Sequence, residues 1–280
     1  MPTPLCEVVV PRTMAGERLD RAIPELAPAI SRTRARKLIE GGAVFVDQVR
    51  VRVCSRGVRP GQTVTCYELV LPPALAPRVV HDAADLLVVD KPAGMATEPT
   101  RSGAAGALTE WLRTAHPGAL TTHRLDAPTS GLVLLARSAE AQAELHRMLQ
   151  GHDIKRGYVA VVAPAPSWDS QTLDAALDGR DAVTHAKVLR RAAGGRAALL
   201  ELALETGRTR QIRRHLAGAG VPVVGDSARH AEARVAAQPG PRLMLHAWTL
   251  TLTWRGQAVS LSAPPPEDFE AALGPLGLAK

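Results

Sequence analysis

The sequence predicts an α+β protein with a substantial mixed or antiparallel sheet, preceded by a small basic α/β module, and three observations carry this reading. Apolar runs of strand length recur at Leu86-Leu87-Val88-Val89, Gly131 to Ala136, Tyr158 to Val162 and Ala197 to Thr206. Segments with their own helix start signals lie between them. The cluster Pro72-Pro73-Ala74-Leu75-Ala76-Pro77 separates the first 71 residues from the rest, because three prolines continue neither a helix nor a central strand.

In chain order, Gly16 to Ile23 places Leu19, Ala22 and Ile23 on one helical face. Ser31 caps a second helix through Ile39, and Gly41-Gly42 stops it. Ala43 to Val46 and Val49 to Val51 are short strands around Asp47-Gln48, followed after Pro60-Gly61 by Thr63 to Tyr67. The first part thus reads helix, helix, short strands. Its second helix carries Arg32, Arg34, Arg36 and Lys37, with Glu40 as the nearby acid. A charge excess of one sign favours a phosphate-contacting face over a merely solvated one. Beyond the proline cluster, Ser138 caps a helix running through Leu145 and Leu149 to Gly151, and Gln211 to Ala217 is a short basic helix. Thr249 to Trp254 alternates as a half-exposed strand does. The expected organisation is a module at 1–71, a linker at 72–77, a main domain at 78–264 and a C-terminal appendage at 265–280, starting from Pro264-Pro265-Pro266.

Composition narrows the function. With 280 residues, 46% hydrophobic and 22% charged, disorder is excluded as the main state. The net charge of +7 and a pI near 9.9 point to an anionic partner, nucleic acid first. Aromatic residues at 3% argue against a platform of several stacking rings, leaving phosphate contacts, shape and a few pocket residues. Cys6, Cys54 and Cys66 form no C-x-x-C pair, so neither a disulfide framework nor a zinc site is expected, which suits a reduced cytoplasmic setting. No apolar run approaches the roughly 18 residues of a membrane span, and no targeting leader is recognisable.

Two segments carry chemistry. His123-Arg124-Leu125-Asp126-Ala127-Pro128-Thr129-Ser130-Gly131 sets a carboxylate beside an arginine in a turn just before a buried strand, so Asp126 stands at the mouth of the sheet. Locally, a turn Asp capping the amides of Thr129 or Ser130 is the competing reading. Thr206-Gly207-Arg208-Thr209-Arg210-Gln211-Ile212-Arg213-Arg214-His215-Leu216 follows a strand and opens a helix, where Arg208 and Arg213 can face an anion. Helical spacing sends Arg210 and Arg213 to one side, with Ile212 and Leu216 inward. An inward arginine needs a carboxylate, and Asp126 is a candidate. Tyr158 opens an apolar strand and is as readily a core residue as a functional one. His123 and His246 lack triad partners; both either order a loop or contact phosphate.

Ser31-Arg32-Thr33-Arg34-Ala35-Arg36-Lys37-Leu38-Ile39 with Gly42 to Asp47 resembles an S4-type RNA-binding domain. His123-Arg124-Leu125-Asp126 with Thr129-Ser130-Gly131-Leu132, and Thr206 to Thr209 with Gln211-Ile212-Arg213, resemble motifs of the RluA-type RNA pseudouridine synthases. Leu87 to Gly94, Tyr158-Val159-Ala160, Gly225-Asp226 and Leu245-His246-Ala247 are similar to further landmarks of that family, in its order. The resemblance implies a pseudouridine synthase catalytic fold and isomerisation of uridine to pseudouridine in structured RNA, without cofactor or metal. It makes Asp126 catalytic, Tyr158 a surface against the target uracil that assists proton removal, and Arg213 the partner of Asp126. Arg124 then fills the space of the extruded base, and Arg208, Thr129 and His123 complete the substrate contacts. Arg32, Arg34, Arg36 and Lys37 contact RNA. Large-subunit ribosomal RNA is favoured over transfer RNA, and a monomer is expected.

A free aspartate with pKa ~3.9 is ionised at neutral pH, which suits stabilisation of positive character on a sugar; nucleophile and base roles both stay open. Two departures stand out: Arg210 where the family commonly has His, and Arg229 where Tyr often follows Gly225-Asp226. A non-catalytic RNA-binding or ribosome-assembly factor of the same fold is the alternative. A glycoside hydrolase would need a second carboxylate opposite Asp126.

Overall fold

The described residues begin with a strand, not with the helix that the sequence predicts. The computed structural model describes residues 4–40, 43–47, 49–51, 53–67, 76–99, 106–226 and 242–279. These fall in two compact units, Met1–Ala74 and Leu75–Lys280. The expected helix stop at Gly41-Gly42, most of the proline cluster and Arg229 lie outside the described residues.

The first unit comprises β1 (Pro4–Val9), α1 (Leu19–Leu26), α2 (Arg32–Glu40), β2 (Val44–Val46), β3 (Val49–Val51) and β4 (Thr63–Tyr67). Its strands form an antiparallel sheet in the order β1-β4-β2-β3. β1 escapes a pattern search because Leu5 and Val9 on its outer face are as apolar as Cys6 and Val8 on its inner one; period-2 alternation needs a polar face to be visible. The Ser31 hydroxyl accepts from the Arg34 amide at 3.3 Å, as its capping role requires. α2 buries Ala35, Leu38 and Ile39, leaving the basic residues outward. Arg32 and Arg18 both bond the fully buried Asp20, at 3.1 and 2.9 Å.

The second unit comprises β5 (Arg78–Ala83), β6 (Leu86–Lys91), α3 (Leu108–Ala115), β7 (Leu120–Thr121), β8 (Ser130–Ala136), α4 (Ala139–Gln150), β9 (Lys155–Val162), β10 (Ser170–Leu173), β11 (Thr184–Arg191), β12 (Ala198–Leu204), α5 (Gln211–Gly218), β13 (Leu245–Trp254), β14 (Gln257–Ser262) and α6 (Glu267–Leu273). Its sheet runs β10-β11-β12-β9-β13-β8-β6-β5, with β14 on β13 and β7 on β8. β13 and β8 pair in parallel, while the neighbouring pairs are antiparallel. The uninterrupted apolar runs of β6 and β8 follow from burial on both faces. Leu87, Val89, Val133 and Leu135 enter one core; Leu86, Val88, Leu132 and Leu134 enter another with Ala141 and Leu145 of α4.

β8 and β13 approach so closely that Gly131, at φ +112°, faces the Ala247 backbone; a Cβ there would lie 2.2 Å from the Ala247 carbonyl oxygen. Only glycine fits that space and conformation, which fixes the strand that follows Asp126.

Residues 265–280 are no appendage. α6 and the turn after it place Phe269, Ala272, Leu273 and Leu278 in the larger core. The triple proline marks a helix entry instead of an end: Pro266 precedes a first turn holding Glu267, Asp268 and Glu270, acids suited to a helix N-terminus. Phe269→Ala should therefore cost about 3–5 kcal/mol in denaturant unfolding. A cost within ~0.5 kcal/mol, as for a surface change, would contradict this packing.

Candidate active site

The segment carrying Asp126 links β7 to β8 and is held from below by a neighbour the sequence reading passed over. Lys91, at the end of β6, is fully buried. Its ammonium donates to the carbonyls of Thr129 (2.6 Å), Met95 (2.7 Å), Pro92 (3.0 Å) and Ala127 (3.4 Å). Burial, with the charge of Arg242 adding, pushes its pKa down to about 7, while Asp126 and Asp90 work in the opposite sense. The Thr97 hydroxyl donates to Leu125 O at 2.9 Å and accepts from Leu125 N at 3.1 Å, and Gly94 N donates to Ala127 O at 2.7 Å. The chain after β6 is thus zipped to the chain before β8, and the turn bearing Asp126 is fixed along its length.

In this turn the Thr129 amide donates to the backbone oxygen of Asp126 at 3.0 Å. The carboxylate is left to reach outward, and Arg213 Nη1 donates to its Oδ2 at 2.8 Å. The capping alternative therefore gives way to the ion pair. Arg213, buried in α5, donates from its other side to Asp226, with Nε to Oδ2 at 2.8 Å and Nη2 to Oδ1. Burial opposes the charge of Arg213, but the hydrogen bonds to Asp226 and Asp126 outweigh it and raise its pKa. Removing Asp226 would leave a buried guanidinium half-partnered, at a cost of about 3–5 kcal/mol. Asp226, quoted from the sequence only as part of a family landmark, has a role the sequence reading missed: it sought one carboxylate for the inward arginine, and there are two. The signal was present, since Asp226 follows the apolar Val223-Val224 and Gly225.

Arg210 supplies a second cation, its Nε 3.9 Å from Asp126 Oδ2. It precedes α5 at φ 54°, in the left-handed region. Gln211 secures this entry: its Oε1 accepts from Thr206 Oγ1 (2.7 Å) and Arg208 N (2.9 Å), and its Nε2 donates to Val183 O (2.9 Å) and Thr184 Oγ1 (3.0 Å).

Asp126 stands at the edge of two cavities. One, of about 580 Å³, is lined by Asp126, Tyr158, Arg213, Arg124, Arg208 and Thr129 among others; the second, of about 680 Å³, by Asp126, Arg124, Glu98, Arg210, Arg213 and Asp226 among others. Tyr158 on β9 is core-packed and pocket-lining at once, which reconciles its two sequence readings. Burial raises its pKa, Arg156 opposes this, and Asp126 adds to it, so the phenol is protonated at neutral pH. Exposed Arg124 points to Glu98, 3.5 Å away. Arg208 donates through Nε to Asp181 O at 2.9 Å. Thr129 is buried, with its backbone engaged by Lys91. Arg32, Arg34, Arg36 and Lys37 belong to the other unit.

His123 corrects an expectation. It lines the first cavity, but its Nε2 accepts from Leu134 N at 2.9 Å, and burial, reinforced by Arg156, pushes its pKa down to about 3. A neutral imidazole acting as a backbone acceptor orders the loop and does not serve as a cationic phosphate contact. His246 is likewise structural: Nδ1 meets Ser130 Oγ at 2.8 Å and Nε2 meets Ala263 O at 2.8 Å. Because the folded pKa of His123 lies below the ordinary 6.5, the unfolded chain binds more protons between those values. Stability should fall as pH drops from about 6.5 towards 3. In urea unfolding from pH 7.5 to 4.5, His123→Gln, which keeps an acceptor, should lose less stability than the parent; equal losses would contradict a neutral His123 bonded to the Leu134 amide.

Comparisons with known proteins point to one family. Residues 85–218 match the RNA pseudouridylate synthase family, and residues 17–64 match the S4 domain. Ribosomal large subunit pseudouridine synthase D of Xanthomonas campestris pv. campestris is 34% identical over 97% of this chain and 92% of its own length. The protein of the same name from Nitrosomonas europaea is 33% identical over 95% and 86%. Among solved structures, human RNA pseudouridylate synthase domain containing 4 shares the fold, with a TM-score of 0.60 at 22% identity over 71% of this chain and 92% of that one. Human RNA pseudouridylate synthase domain containing 1 does so with a TM-score of 0.59 at 24% identity over 72% and 89%. The fixed carboxylate, its double-anchored arginine and these similarities converge: the chain belongs to the RNA pseudouridylate synthase family and carries an S4 domain ahead of the catalytic fold.

Proposed function

We propose that the enzyme converts uridine to pseudouridine in large-subunit ribosomal RNA, with Asp126 as its catalytic residue. The observation that carries this reading is the 2.8 Å pair between Asp126 and Arg213, at a cavity also lined by Tyr158. The rRNA target is supported by the names of the relatives from Xanthomonas campestris and Nitrosomonas europaea.

The reaction breaks the bond between uracil N1 and sugar C1′, turns the base, joins C5 to C1′, and moves the C5 proton away while N1 gains one. Positive character develops on the sugar as the first bond breaks. A carboxylate whose position is set by Arg213 stabilises that charge without reorganising, or attacks the electrophilic carbon directly. No water enters the product, so one carboxylate suffices. Asp226 is no hydrolytic partner for it, being buried and gripped on both oxygens by Arg213. Tyr158 offers a flat face to the turning base. As a protonated phenol, it takes up the C5 proton only by passing its own on, as a relay. Arg124, whose partner Glu98 is exposed and weakly held, is free to enter the space an everted base leaves in its duplex, an eversion costing a few kcal/mol. In the S4 domain, Arg32, Arg34, Arg36 and Lys37 contact RNA phosphates.

Asp126→Asn keeps the shape but removes the charge. It should cut single-turnover pseudouridine formation at least about a thousandfold and leave RNA affinity within about threefold. Carbodiimide labelling with primer extension, on unmodified transcribed large-subunit rRNA, measures the first and filter binding the second. Equal yields from both proteins would refute the assignment. Mapping pseudouridine in cells lacking the protein tests the target: a site lost from transfer RNA, with large-subunit rRNA intact, would overturn that part.

A further inference from the structure

The arginines lining the Tyr158 cavity are of two kinds. Arg213, Arg210 and Arg124 each have a carboxylate within 4 Å: Asp126 and Asp226 for the first, Asp126 for the second, Glu98 for the third. Arg156 and Arg208 line the same cavity, and neither has a carboxylate partner among the described residues. Arg156 Nη2 donates to Thr206 O at 3.2 Å, and its buried Nε has no hydrogen-bond partner among the described residues. Its guanidinium lies over Gly207, where an added Cβ would come 3.0 Å from Nη1. Arg208, the next residue, has its Nε on Asp181 O. Arg156 and Arg208 therefore put two guanidiniums on the wall of one cavity, with no carboxylate partner for either among the described residues.

Two cations on one partly desolvated cavity wall, without a carboxylate to balance them, favour an anionic ligand there. A neutral uracil carbonyl does not compensate two cations. A phosphate does, because it carries a full negative charge and several acceptor oxygens matched to guanidinium geometry. Arg156 and Tyr158 stand two residues apart on β9, on the same face of the strand, and line the same cavity, so the phosphate concerned lies beside the everted nucleotide and not at a distant point on the RNA.

We propose that Arg156 and Arg208, both on the wall of the Tyr158 cavity, form a clamp that grips a backbone phosphate flanking the target uridine. The clamp rests on the functional reading given above and adds to it a positioning contact from β9, an element otherwise represented in the site by Tyr158. It sets how the strand enters the cavity, so that the sugar of the everted nucleotide faces Asp126.

The test uses the full-length protein with Arg156→Gln, Arg208→Gln and Arg156→Lys, and unmodified transcribed large-subunit rRNA as the probe. Each Gln variant should raise KM about tenfold and leave kcat within about threefold. Each should also reduce the slope of log affinity against log KCl concentration by roughly 0.7–0.9, as expected for one lost phosphate contact. Arg156→Lys, which keeps the charge, should retain most of the parental slope. A fall in kcat with an unchanged slope would place Arg156 on the base or on Tyr158 and overturn the clamp; unchanged KM and slope would overturn it as well. If the parent protein forms no pseudouridine in this RNA, it is the rRNA reading that fails, and the slope still decides the clamp.

Discussion

A single guanidinium organises this candidate active site. Arg213 is buried, and a buried charge is tolerated only when its hydrogen-bonding directions are answered. Asp226 answers two of them through Nε and Nη2 and fixes the plane of the group, so Nη1 points to Asp126. The Asp126 carboxylate is thus oriented by a cation that is itself held by a second carboxylate. The second one has both oxygens on Arg213, so of the two acids only Asp126 stands at the cavity tied to that guanidinium through a single oxygen.

Such an arrangement demands a rigid surround. Lys91 draws together four carbonyls of two loops, Gly131 lets β8 approach β13 at backbone contact, and Gln211 closes the loop ahead of α5. Each is a group that satisfies buried backbone atoms or removes a steric conflict, and none needs to touch RNA. Asp126 and Arg213 arrive from segments 87 residues apart in sequence, so their 2.8 Å contact depends on the sheet that joins them. The same sheet positions Tyr158 on β9, between β12 and β13. Both faces of its central strands are packed, so displacement of the turn would disturb two cores at once.

Much of this was legible in the sequence because local rules governed it. β6, β8 and β9 were visible as apolar runs; α4 was visible from Ser138, whose side chain accepts from the Ala141 amide. The pairing of Arg213 with Asp126 followed from the cost of leaving an inward arginine alone. What escaped was set by tertiary context. β1 has apolar residues on both faces, so no period marks it. Lys91 looks like a surface residue until the loops that surround it are in place, and nothing in its own neighbourhood announces four carbonyl acceptors. His123 sits in a motif full of polar residues, yet the fold spends it on the Leu134 amide. α6 was hidden behind three prolines that end one element and begin another.

The most direct measurement of this account is a structure of the protein bound to an rRNA fragment carrying 5-fluorouridine at the modified position. The everted sugar should lie against the Asp126 carboxylate, with the base beside Tyr158 and with Arg213 still bonded to both Asp126 and Asp226. A complex in which the target nucleotide occupies another surface, or in which Asp126 turns away from it while Arg213 leaves Asp226, would contradict the account at its root.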